Sequence, residues 1–220
     1  MCVQAPLSEV HTSQKPFHRI IKLKTLRFMQ ITPPMMVFAY WAIAVLIGFV
    51  FFRKDILTFN PVFDTRRVIL LVASVLILIL NVVVYGSSTY DGGRTLDIPT
   101  LIVFSIGNGI AETFMFYAVF RLGEWLASKA TTNALLKFCA GFIFFMIFSG
   151  IIHGLFWLQI LPEHINQASP FKPLFMPVQL LIAGSWALNF FWYRDIRTVI
   201  ILHALVDLTM AYNVKFSLFN

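Results

Sequence analysis

Six long apolar runs, each bounded by turn or charged residues, constrain this 220-residue chain more than any other feature. They cover roughly Met35–Phe52, Val68–Tyr85, Ile98–Phe120, Phe138–Leu161, Leu174–Tyr193 and Thr198–Val214, the last being the shortest. A helix that crosses a bilayer needs about 20 predominantly apolar residues. Only helices and closed barrels satisfy every backbone polar group in lipid. The runs do not alternate polar and apolar residues, which argues against a barrel. The expected fold is therefore all-α, a polytopic transmembrane bundle of about six spans. Asn60-Pro61, the stretch Gly86 to Gly93 and the stretch Pro162 to Pro173 supply the turns between runs. Composition agrees: charged residues make up 12% of the chain, against about 25% in a soluble domain.

The net charge of +7 does not point to nucleic acid. Lys and Arg sit in the short segments between apolar runs, where membrane topology places them, and no clustered basic face appears. The bilayer is the expected partner and the expected location is integral and multi-pass. Residues 1–34 form a basic tail. Its segment Pro16–Met29 interleaves basic and apolar residues, so it reads either as an interfacial amphipathic helix or as a disordered tail. Residues 35–97 hold two N-terminal spans, 98–214 a membrane core and 215–220 a short C-terminal tail. The first span is expected to act as an uncleaved anchor. Under the positive-inside rule the tail and the loops after spans one, three and five compete, and the three loops outweigh the tail. Cys2 and Cys139 are too few for a disulfide framework, and Cys139 is expected to pack as an apolar residue.

Four ionisable residues stand inside apolar runs: Glu112, His153, His203 and Asp207. Each costs about 2.5–3.5 kcal/mol to insert, and such residues usually mark function. At a rise of ~1.5 Å per residue, measured from the face where span three ends, Glu112 lies ~13 Å deep and His153 ~22 Å deep. His203 and Asp207 lie ~8 and ~13 Å deep by the same measure. All four can thus converge on one cavity. His203 and Asp207 are i and i+4 and share a helix face, so Asp207 can orient the imidazole. Asn108 is i−4 from Glu112 and shares its face. Gly107 and Gly109 allow a neighbouring helix to approach closely. Ser149 is i−4 from His153. Glu124, Glu163 and His164 fall at span ends or loops and read as solvated or interfacial.

A carboxylate and two imidazoles in a desolvated pocket suit the activation of water. Glu112 would be the general base, His153 and His203 the oxyanion or water-positioning groups, and Asp207 the orienting partner. No cofactor is required by this set. A divalent metal is the variant, with His153, His203 and Glu112 as zinc ligands, although no HExxH helix is present.

The order and setting of these residues resemble the CAAX-protease and bacteriocin-processing family of intramembrane proteases. That family carries EExxxR, FxxxH and HxxxN or HxxxD motifs in successive transmembrane helices. The segment HALVD matches the third motif outright, through His203 and Asp207. SGIIH retains His153, with Ser149 at the Phe position and Phe148 one residue away. Glu112 fits the first Glu, while Thr113 stands at the second and Tyr117 at the Arg. The resemblance covers roughly residues 98–212, the last four spans, and implies a four-helix protease-like core. It implies endoproteolysis of membrane-associated peptides or proteins, such as prenylated CaaX proteins, by glutamate-activated water. Two other readings remain. One is a relative that kept the pocket without the chemistry and acts as a scaffold, assembly or immunity factor. The other is a proton-coupled carrier, for which no inverted repeat is visible.

Overall fold

A computed structural model describes residues 32–58, 63–87, 93–153, 170–215 and 217–219. Among them six α-helices and no strand occur: α1 (Pro33–Leu57), α2 (Thr65–Gly86), α3 (Ile98–Ser128), α4 (Ala134–Ile152), α5 (Phe175–Tyr193) and α6 (Ile196–Val214). The basic tail, with its expected interfacial helix, lies outside the described residues, as do residues 154–161 of the fourth run.

Helices α2, α4 and α6 begin ahead of their apolar runs because residues that hydropathy ignores cap their starts. Asp64, Asp97, Asn133 and Asp195 stand at the N-caps of α2, α3, α4 and α6, and each side chain accepts a bond from a first-turn backbone N–H. These N–H groups have no partner inside the helix. At the other end, α5 and α6 close on Arg194 (φ 54°) and Lys215 (φ 52°) in the left-handed region. Glycine usually takes that position, but a cation there complements the negative end of the helix dipole.

Five of the six helices, α1 to α5, are long and apolar enough to cross a membrane. The sixth has the same length as α4 and α5, but carries Arg197, His203, Asp207 and Asn213. Helix α2 shows how the bundle is built. It buries Arg67, Leu70, Ser74, Asn81 and Val84 along one stripe. It exposes Ile69, Val72, Leu76 and Ile79, each more than half exposed. Polar and small residues inward with large aliphatics outward is the pattern expected where the surroundings are lipid.

Helix α3 is the centre, packed along α4, α6 and α1, while α2 packs on α5 and α6. The two N-terminal helices are thus part of the same bundle as the last four. One apolar cluster gathers Phe116, Tyr117, Phe120, Phe145, Trp186 and Phe190. A second gathers Trp41, Phe104, Ala111, Met210 and Val214. Gly109 makes the α3–α6 contact possible, since a Cβ there would stand 2.8 Å from the Ala204 nitrogen. Gly107 makes room for the Trp41 ring in the same way, at 2.5 Å.

Two expectations are corrected. Cys139 is exposed rather than packed, on a turn of α4 that faces outward. Glu124 is not simply solvated. It accepts from Arg121, and from both terminal nitrogens of Arg194 at 2.8 and 2.9 Å, tying α3 to the end of α5.

Candidate active site

Glu112, Asn108 and Thr113 come from the middle of α3, and His203 and Asp207 from the middle of α6. All five are buried; Glu112 is 5% exposed, His203 4% and Asp207 4%. The site therefore sits where α3 and α6 touch, between the two apolar clusters. Close approach at Gly109 and Ala204 brings the two polar faces within bonding range of each other.

The His203 ring is held on every side. Its Nε2 lies 3.4 Å from Glu112 Oε2 and 3.6 Å from Asp207 Oδ2. Its Nδ1 lies 3.1 Å from Thr113 Oγ1. Phe116 stacks on it, with ring centroids 5.6 Å apart and planes 10° from parallel, and Trp186 approaches to 4.5 Å. A proton on Nε2 would face the two carboxylates and leave Nδ1 to accept from the Thr113 hydroxyl, a tautomer inferred from the partners.

Asp207 is positioned in turn. Asn108 Nδ2 donates to Asp207 Oδ2 at 3.1 Å, and Trp41 Nε1 donates to Asn108 Oδ1 at 3.1 Å. A chain of bonds thus runs from α1 through α3 to α6. Such buried networks order their members, because each unmade bond in a low-dielectric interior is costly.

His153 is placed differently from the other three candidates. It follows the last residue of α4 and is exposed. Its Nδ1 lies 2.7 Å from the Ser149 carbonyl oxygen, with the Ser149 hydroxyl at 3.3 Å. It remains close enough to Glu112 to interact with it electrostatically. Glu112, His203 and Asp207 are thus brought together, while His153 occupies the exposed edge. Among the described residues, no three His, Cys, Asp or Glu side chains are grouped to hold a metal ion.

Sequence reasoning missed Thr113 as a partner and Trp41 altogether. Thr113 follows Glu112 directly, so it points about 100° away around the helix. Only the placement of α6 puts it against His203. Trp41 carries no local signal, because an indole in an apolar run is ordinarily packing. Tyr117 donates its hydroxyl to Asp55 Oδ2 at 2.7 Å.

Comparison with protein-family models, curated proteins and solved structures gives no match.

Proposed function

We propose that the chain is a multi-pass, CAAX-protease-like intramembrane hydrolase that cleaves membrane-associated peptides or proteins. The observation that carries this reading is the Glu112–His203 pair, a carboxylate and an imidazole 3.4 Å apart and buried between apolar helices. Burying such a pair among apolar helices is costly, and ionisable residues kept there usually mark function. In the proposed reaction Glu112 takes a proton from water as the water oxygen bonds to the scissile carbonyl carbon. His203 donates to the resulting oxyanion. Collapse of the tetrahedral adduct breaks the C–N bond, and Glu112 returns the proton to the leaving nitrogen. Asp207, fixed by Asn108, orients the imidazole. His153 serves at the mouth, where a water or substrate carbonyl would enter.

In this reading all six helices cross the membrane. The end bearing Arg53, Lys54, Arg66, Arg67, Lys129, Arg194 and Arg197 faces the cytoplasm. The substrate is an anchored segment, prenylated proteins included. A second reading, a scaffold or assembly factor without the chemistry, is favoured by Thr113 and Tyr117. Their hydroxyls engage His203 and Asp55 in place of the family's Glu and Arg.

The test uses full-length protein in vesicles with fluorogenic membrane-anchored peptides, prenylated and not. Turnover by the wild type, lost in both Glu112→Gln and His203→Ala, is the expected result. Turnover that survives both substitutions sinks the site. No turnover at all, with a partner co-purifying, favours the scaffold. Loss of turnover on chelation, restored by zinc, replaces the metal-free mechanism with the zinc variant.

A further inference from the structure

Helix α1 carries none of the ionisable residues of the buried site, yet one of its side chains reaches them. Trp41 Nε1 donates to Asn108 Oδ1 at 3.1 Å, and Asn108 Nδ2 donates to Asp207 Oδ2 at 3.1 Å. Asp207 Oδ2 in turn lies 3.6 Å from His203 Nε2. This chain has a direction, and Trp41 sets it. An indole N–H can only donate, so the Asn108 amide must turn its oxygen toward α1. Its NH2 group then faces the carboxylates, Asp207 by the bond just given and Glu112 within hydrogen-bonding reach.

A side-chain amide left to itself has two nearly equivalent orientations about its last torsion. Here the second one is costly. The amide oxygen would face Asp207 Oδ2, and two such oxygens share a contact only with a proton between them. Asn108 is 5% exposed, so bulk solvent does not replace a bond lost there.

The indole is itself held fast. Gly107 leaves the slot it fills, since a Cβ there would stand 2.5 Å from the ring. Phe38 meets the ring edge-on at 5.3 Å, and Phe104 lies at 6.1 Å on its other neighbour, α3. Packing alone would be served by any large ring in that slot. Only the indole nitrogen carries a donor to Asn108.

We propose that Trp41 is a positioning residue of the buried site: by fixing the direction of the Asn108 amide it holds Asp207, and through Asp207 the His203 ring, in the arrangement that faces Glu112. As a statement about turnover this rests on the hydrolase reading. As a statement about the His203 ring it stands apart from that reading. It makes α1 a working part of the site as well as a packing neighbour of α3.

The test is a double-variant cycle on full-length protein. Trp41→Phe keeps an aromatic ring in the slot and removes the N–H. Asn108→Leu removes the amide and roughly keeps its shape. Turnover of an anchored peptide is measured in vesicles. Isotope-labelled histidine reports the ring nitrogens by NMR in detergent, with the His203 signals identified by their loss in His203→Ala. Trp41→Phe is expected to lower kcat about tenfold, as for one buried hydrogen bond, and to leave KM unchanged. The double variant should fall no further than Asn108→Leu, because Trp41 acts through Asn108. The His203 signals should shift in Trp41→Phe while those of His153 stay in place. Losses that multiply in the double variant overturn the inference, and so do His203 signals left at their wild-type positions in Trp41→Phe. A wild type without turnover, whose His203 signals still shift in Trp41→Phe, sinks the hydrolase and sustains the positioning role. Should Asn108→Leu fail to fold, the His203 signals in Trp41→Phe decide alone.

Discussion

His203 and Glu112 face each other across the α3–α6 interface, Nε2 to Oε2, at 3.4 Å. No other described histidine is enclosed like this one, with two carboxylates at one ring nitrogen, a hydroxyl at the other and aromatic rings beside it. Each feature leads to a measurement.

Glu112→Gln and His203→Ala should each lower turnover by about 10²–10⁴-fold, the usual contribution of a positioned acid or base. His153→Ala should cost less than either, because that ring is exposed and bonds within its own helix. Steady-state rates on one anchored peptide decide the order. A loss with His153→Ala equal to that with His203→Ala would mean the ring swings into the site during turnover.

Thr113→Val keeps the shape of the side chain and removes its hydroxyl. His203 Nδ1 then loses its 3.1 Å partner, at a cost of about 1–3 kcal/mol for an unsatisfied buried group. Reduced turnover with a shifted pH profile is expected, since the ring nitrogen opposite the two carboxylates loses its hydrogen-bond partner. An unchanged profile would make Thr113 a packing residue only.

Gly109→Ala should separate α3 from α6. The new Cβ meets Ala204 backbone atoms at 2.8 and 2.9 Å, and backbone cannot turn aside. A loss of about 1–3 kcal/mol is expected from overpacking. Gly184→Ala, with nothing within 4 Å of its Cβ position, should show none. Thermal melts in one detergent compare the two.

Arg67→Met breaks the buried pair that joins α2 to the N-cap of α6, where the two side chains are 4% and 6% exposed. Leaving Asp195 buried without its cation should cost about 3–5 kcal/mol. The double variant Arg67→Met with Asp195→Asn should recover part of that loss. Unfolding in detergent measures both.

The Ser217 and Thr100 hydroxyls hold the Asp97 carboxyl below its ordinary value. The Leu218 amide donates to the same Thr100 hydroxyl at 2.9 Å, so the C-terminal segment is tied to the start of α3. A depressed folded pKa means the stabilisation is present above the unfolded value of about 4 and lost as pH falls through the lower folded value. Asp97→Asn should therefore melt below the wild type at neutral pH, with the gap closing in acid. A gap that persists unchanged in acid would show that the charge plays no part.

The helix count and the membrane-like character were legible because both are local properties. A run such as Val68–Tyr85 announces a helix long and apolar enough to cross a membrane by composition alone. The N-caps Asp64, Asn133 and Asp195 start α2, α4 and α6 ahead of those runs, since one Asp or Asn satisfies backbone donors without altering hydropathy. The i, i+4 relation of His203 and Asp207 was equally readable, because helical spacing fixes it. Its partner across the interface was not.

By itself, then, the sequence determined that the chain is a helical bundle with Glu112, His153, His203 and Asp207 in apolar segments. The reason is that lipid forces backbone bonding inside each helix and makes every ionisable side chain conspicuous. Only the tertiary structure decided which of the four meet. Helix rotation and register depend on contacts between distant residues, among them Gly109 on Ala204 and Trp41 on Asn108. Those contacts turn His203 onto Glu112 and leave His153 at the exposed end of α4.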